Sequence, residues 1–134
     1  MNEFVMHLQS PECYKRVDGM TSFVASDESG SFGILPGHER MITVLTAGIA
    51  RIFLLKSGAE YLGLPECFLY FVDNELFISA SMFLRDKDYA NLTRALKKKI
   101  DEEAQLRLEM KETIRRVEAA LLKEMLRSST ERPL

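Results

Sequence analysis

Phe68-Leu69-Tyr70-Phe71-Val72-Asp73-Asn74-Glu75-Leu76-Phe77-Ile78-Ser79-Ala80 decides the fold class. Two β-rich runs, 68–72 and 75–80, flank the two-residue link Asp73-Asn74. After glycine, Asn and Asp best tolerate the positive φ that a primed hairpin turn demands, so this link closes an antiparallel hairpin. The same grammar recurs outward from it. Ser57-Gly58 turns the chain between runs 49–56 and 59–62, and Ala47-Gly48 separates 41–46 from 49–56. Earlier, run 20–26 ends at Asp27-Glu28-Ser29-Gly30. At the start, Phe4, Met6 and Leu8 alternate with Val5, His7 and Gln9 before Ser10-Pro11 stops the strand. Short strands with turn signals every ~8–12 residues read as a sandwich or barrel.

Several of these strands are apolar on both faces. Ile49, Phe53 and Leu55 alternate with Ala50, Ile52 and Leu54; Phe68, Tyr70 and Val72 alternate with Leu69 and Phe71. An antiparallel sheet ordinarily keeps one polar face, so the second apolar face needs a cover. Loops or the chain's own tail supply one reading, and a subunit interface supplies the other.

After Leu84 the pattern changes. Asp86 or Asp88 is placed to cap a helix, and no Gly or Pro follows until beyond Arg127. Tyr89, Leu92, Leu96 and Ile100 share one helical stripe, and Ile114, Val117, Leu121 and Met125 share a second. Between them, Ala104, Leu106, Leu108 and Met110 alternate with a period of two, which no single helix face accommodates. A hairpin connection is therefore expected near residues 104–110. Gln105, Leu106, Arg107 and Glu109 are good helix formers and leave one extended helix as the alternative. The expected fold is an N-terminal antiparallel β-sandwich over residues 1–85 and a C-terminal two-helix hairpin, or extended helix, over 86–134. Narrow-striped helices make no core of their own. The stability of such a tail depends on what it touches, which is the physical makeup of a switch.

The 134 residues, 46% apolar and 28% charged, exclude a disordered or low-complexity chain and are enough for a real core. A net charge of −2 hides a split: residues 1–84 carry −5 and residues 85–134 carry +3. That balance lacks the concentrated basic excess of a nucleic-acid binder. The most apolar stretch, 41–55, is interrupted by Thr43, Thr46, Gly48 and Arg51 and is too short to span a bilayer. Met1-Asn2-Glu3-Phe4 has neither the basic nor the apolar region of an export signal, so Cys13 and Cys67 are expected to be free thiols in a reducing compartment.

Catalytic and metal chemistry find little support. There is no Gly-x-x-x-x-Gly-Lys loop and no Cys-x-x-Cys pair, so neither a nucleotide loop nor a metal site is expected. His7 reads as a surface or sandwich residue. His38 follows Pro36-Gly37 and reads as a hydrogen-bonding group that fixes the turn. Lys97-Lys98-Lys99 reads as a solvated helix face, with docking on an acidic surface as the second reading. Two rival functions stay open at this point. One is a small β-sandwich enzyme using His38 or a cysteine; the other is a free-standing adaptor with a coiled-coil tail.

Gly30-Ser31-Phe32-Gly33-Ile34-Leu35-Pro36-Gly37-His38 resembles the signature of the epsilon subunit of F-type ATP synthases. That signature runs acidic or Gly, small, aromatic or Leu, Gly, Ile or Val, Leu, Pro, Gly, His. Leu8-Gln9-Ser10-Pro11-Glu12 and Thr46-Ala47-Gly48-Ile49-Ala50-Arg51-Ile52 are similar to the family's flanking strands. The resemblance implies a ten-stranded sandwich, a helical hairpin, and a non-catalytic place in the rotor stalk. The partners it implies are the gamma subunit, the c-subunit ring and, with the tail extended, the beta subunit. The membrane is reached only through the complex, at the cytoplasmic face of a bacterial or archaeal plasma membrane.

Residue by residue, the resemblance places Ser31, Phe32, Ile34, Leu35, His38 and Glu39 on a loop facing the ring. It makes Leu69, Phe71 and Phe77 candidates to face gamma. Arg94, Arg107, Lys111, Arg115, Arg116 and Lys123 become regulatory candidates on the tail, where they would meet an acidic beta segment and restrain hydrolysis. Some relatives bind ATP through Ile/Leu-Asp-x-x-Arg-Ala; here Ala90-Asn91-Leu92-Thr93-Arg94-Ala95 keeps Arg94 and Ala95 but has Asn91 for the acid. No cofactor is therefore expected. Tyr70-Phe71-Val72-Asp73-Asn74 with Leu84-Arg85-Asp86 also resembles the alternative, sodium-translocating branch of these enzymes.

Overall fold

The computed structural model describes residues 2–131, with backbone alone for 129–131. Its elements in chain order are β1 (Phe4–Gln9), β2 (Tyr14–Asp27), β3 (Gly30–Ile34), β4 (Met41–Leu45) and β5 (Gly48–Leu54), followed by β6 (Gly58–Leu64), β7 (Cys67–Val72), β8 (Glu75–Ser79), β9 (Leu84–Asp86) and α1 (Tyr89–Glu131). The deciding hairpin forms as its residues dictate. Asp73 and Asn74 take φ of 50° and 61°, and β7 pairs antiparallel with β8 from Phe68↔Ser79 to Val72↔Glu75.

Neighbouring strands run in the order β1-β8-β7-β4-β2-β5-β6-β9, with β3 on β2 and β1 also on β2. The long strand β2 serves both layers of the sandwich. Its first half pairs with β1, and its second half pairs with β3 and β5. Between the halves lies Gly19, whose φ of 73° is one that L side chains rarely adopt, and both ladders slip register beside it. A bulge of this kind bends the strand and carries the chain from one layer to the other. The first strand then closes the layer by pairing in parallel with β8.

Alternation fills the space between the layers. Phe4, Met6 and Leu8 from β1, with Leu69 and Phe71 from β7, are almost wholly buried. Ile52, Leu62, Leu76 and Ile78 complete the facing surfaces. The rings of Phe4 and Phe71 meet edge to face at 5.6 Å. Each such side chain contributes about 1.5–3 kcal/mol by leaving water. At the edge, Arg85 of β9 donates to the buried Glu60 carboxylate of β6 at 2.6 and 2.8 Å, through Nη2 and Nε.

Asp88 is the helix cap: its Oδ1 accepts from the amides of Ala90 at 2.9 Å and Asn91 at 3.4 Å. The first two turns of α1 then dock on β6. Leu92 and Leu96 are buried over Gly63, where a Cβ would stand 3.4 Å from the Leu96 methyls and 3.5 Å from that of Leu92. Tyr89 meets Tyr61 edge-on at 5.3 Å. The compact units are Met1–Leu96 and Lys97–Leu134, so the first turns of α1 go with the sandwich.

Three expectations are corrected. Helix α1 runs 43 residues without the connection expected near residues 104–110. Every residue there is a helix former, and the run with a period of two needs no common face because Leu106, Leu108 and Met110 are all exposed. On its surface Arg116 pairs with Glu112 at 3.1 Å. The second correction is the strand count, nine among the described residues in place of ten. Third, the residues expected on a ring-facing loop, Ser31 to Glu39, are not all in one: Gly30 to Ile34 is β3, paired with β2.

Candidate functional site

The register of the first layer puts its outward side chains in ranks across four strands. Ile42, Tyr70, Phe77 and His7 form one rank, and Val44, Phe68, Ser79 and Gln9 form the next. Ile42, Val44, Phe68 and Phe77 are exposed at 74%, 41%, 64% and 37%, an apolar area broad enough to mark a binding surface. Among the three residues expected to face gamma, Phe77 lies on this surface. Leu69 and Phe71 do not: both are fully buried in the core, on the opposite side of the same strand. Successive side chains on a strand alternate between faces, so the outward residues are Phe68, Tyr70 and Val72.

A polar cluster stands at the edge of this field. The His7 ring is stacked between Phe77, 4.6 Å between centroids, and Tyr14, 5.9 Å. Its Nε2 lies 3.0 Å from Glu75 Oε1 and its Nδ1 lies 2.6 Å from the Tyr14 hydroxyl. A carboxylate only accepts, so Nε2 carries hydrogen toward Glu75 and, in the neutral ring, Nδ1 accepts from Tyr14. Arg40 covers the Tyr70 ring at 5.7 Å from one side of the face.

A second surface is the segment after β3. The His38 amide donates to the Leu35 carbonyl at 3.1 Å, and Gly37 takes φ of 79°, a Pro-Gly turn that presents Leu35 at 61% exposure. Asn74 in the β7–β8 turn stiffens it by accepting from the Gly37 amide at 2.8 Å while donating to the Glu3 carbonyl at 2.8 Å. Of the residues expected on a ring-facing loop, Leu35, His38 and Glu39 lie in this segment and are exposed. Ser31, Phe32 and Ile34 lie in β3, and Ile34 is buried in the core, which withdraws it from any partner.

His38 is committed to structure. Its Nδ1 lies 2.7 Å from the Glu39 carbonyl, and its ring meets the edge of Phe71 at 5.8 Å. Both cysteines are free. Burial pushes the Cys67 thiol up to about 11, which disfavours the thiolate that a nucleophile needs. Asp27 is a structural carboxylate, held below its usual range first by the Ser29 hydroxyl and then by Thr43.

On the helical unit, Ile114, Val117, Leu121 and Met125 form an apolar stripe, each more than half exposed. Arg107, Lys111, Arg115 and Lys123 are exposed, and Arg116 is engaged with Glu112. Arg94, on the first turns, donates to Asn91, the residue at the position of the acid in ATP-binding relatives.

Residues 6–86 match the family described as the ATP synthase delta/epsilon chain β-sandwich domain. A curated relative, ATP synthase epsilon chain 2 of Cereibacter sphaeroides, is 50% identical over 34 residues, 25% of this chain and 23% of its own. Among solved structures, a chain of the Euglena gracilis mitochondrial ATP synthase, described as OSCP/F1/c-ring, superposes with a TM-score of 0.59 at 17% identity, over 73% of this chain and 64% of that one. A chain of the Tetrahymena thermophila mitochondrial ATP synthase, described as central stalk/c-ring, gives 0.50 at 18%, over 60% and 64%. These matches span less than two thirds of each relative's length.

Proposed function

The chain belongs to the ATP synthase delta/epsilon family, and from that membership we propose a non-catalytic central-stalk subunit whose sandwich binds the gamma subunit. The observation that carries this reading is the exposed apolar face of β4, β7 and β8, backed by a fully packed core. A rigid sheet with an uncovered apolar side is built to be covered by a partner. The stiffened Leu35–Glu39 segment rests on the c-subunit ring. The chain reaches the membrane only through the complex, as a peripheral component on the cytoplasmic face of the plasma membrane.

The helical unit is the regulatory arm. Its apolar stripe has no core of its own, and Arg107, Lys111 and Arg115 stand one turn apart as a basic ridge suited to an acidic surface on the beta subunit. Contact there restrains hydrolysis. ATP is not its ligand, because Asn91 offers Arg94 an amide where ATP-binding relatives offer an acid.

Co-expression with gamma tests the reading. The full chain is expected to co-purify with gamma at micromolar concentration and to hydrolyse no ATP alone. A folded chain that fails to bind gamma overturns it. Removing residues 97–134 from the assembled complex is expected to leave assembly intact and raise hydrolysis; unchanged hydrolysis removes the regulatory role.

A further inference from the structure

Among the outward residues of β1, β4, β7 and β8, Glu75 is the one carboxylate, and its surroundings are organised. We propose that Glu75, held by His7, selects the partner: the helix covering this face carries an apolar stripe with a single Lys or Arg that meets this carboxylate. The inference rests on the reading that the face binds gamma and adds the chemistry by which it recognises its partner.

Three observations carry it. Glu75 is 44% exposed at its side chain, although its neighbours on the face are Val5, Val72 and Phe77. A covering partner would strip water from it, and a desolvated carboxylate without a cation is costly. Second, its geometry is fixed. His7 is only 12% exposed, stacked on Phe77, and bonded through Nε2 to Oε1, which leaves Oε2 to a partner. The opposite ring nitrogen is occupied by Tyr14, so the ring is held at both ends. Third, two arginines beside this face are engaged elsewhere. Arg16, the cross-strand neighbour of His7, pairs with Asp18 at 3.0 Å, and Arg40 lies over Tyr70. Among the described residues no lysine or arginine pairs with Glu75, which leaves that role to a partner.

His7 acts here through Glu75 and is a positioning residue. A cationic partner is favoured over an entirely apolar one, which would bury the carboxylate unpaired. An acidic partner is rejected by like charge.

The test is binding of the full chain to the full-length gamma subunit of its own complex. Wild-type affinity is expected to weaken about tenfold between ~50 mM and ~500 mM salt, as an ion pair is screened. Glu75→Gln, which keeps shape and hydrogen bonding, is expected to bind about tenfold more weakly at low salt and to lose the salt dependence. His7→Phe keeps the stack and frees the carboxylate, so a loss of about threefold with salt dependence retained is expected. Phe68→Ala reports on the apolar face alone and weakens binding at every salt concentration. Circular dichroism melts confirm that each variant is folded. If Phe68→Ala weakens binding but Glu75→Gln matches wild type at all salts, the selection by charge is overturned and the docking face stands. If the folded wild-type chain does not bind gamma, the proposed function itself falls.

Discussion

The sandwich and the helical arm use similar side chains to opposite ends. In the sandwich, Phe71, Leu69 and Ile78 are shielded from water by alternation and by a partner layer. In the arm, Ile114, Val117 and Leu121 follow the helical period faithfully and remain more than half exposed. The first unit has a packed core of its own, whereas the apolar stripe of the second is uncovered. The difference teaches that an apolar pattern specifies a face, whereas only a facing layer turns it into a core. A small docked segment joins the two regimes, because Leu92 and Leu96 still find cover on Gly63.

The contrast is easiest to break at the core. Phe71→Ala is expected to destabilise the sandwich by about 3–5 kcal/mol in urea unfolding, whereas Ile114→Asp should leave the same transition within about 0.5 kcal/mol. An arm substitution with a core-sized cost would show that the arm has found a partner layer. Arg85→Met sharpens the boundary. It strands the Glu60 carboxylate at the β6–β9 edge, and a loss of about 2 kcal/mol is expected, reduced because the guanidinium is partly solvated. Gly63→Val tests the docked turns. The added methyls displace Leu96, so a cost of about 1–2 kcal/mol and faster amide exchange confined to residues 89–96 are expected. The smallest effect is the pH dependence at Asp27. Its carboxyl titrates below its ordinary 3.8 when folded, so its contribution is full above about pH 4 and fades as pH falls through the lower folded value. Asp27→Asn should therefore melt below wild type at neutral pH and converge with it in acid.

Much of the fold is legible in the sequence where a residue type has one structural solution. Asp73-Asn74, Pro36-Gly37 and Ser57-Gly58 each mark a turn that forms. Parity is another matter. In Phe68 to Val72 every side chain is apolar, so the run alone does not say which residues face inward, and Leu69 and Phe71 read as surface candidates. The missing signal sat in the neighbouring strands: His7 and Glu75 must face outward, and register then carries Phe77, Tyr70 and Phe68 with them. In the arm the hairpin reading fails, and the extended-helix alternative holds, for the converse reason. A run with a period of two, from Ala104 to Met110, signals a break only if its face must be buried, and here it is exposed. Strand β9 is only three residues long and is set by its partners Tyr61, Leu62 and Gly63, which lie far from it in sequence. Ile34 belongs to the signature yet ends in the core, because β3 alternates like any other strand.

The parallel pairing of β1 with β8 also has a consequence in time. Val5 finds its neighbour only at Glu75, and the Asn74 bond to Glu3 spans 71 residues of chain. Contacts of such separation are closed late, after the hairpins between them. On a ribosome adding ~5–20 residues per second, the first strand is made roughly 4–15 s before the strand that completes its sheet. The strand can pair with β2 as soon as residues 14–20 are made, but its other edge, the one that takes β8, stays open through that interval. The order of synthesis thus makes the parallel seam between β1 and β8 the last of the first strand's two ladders to be sealed.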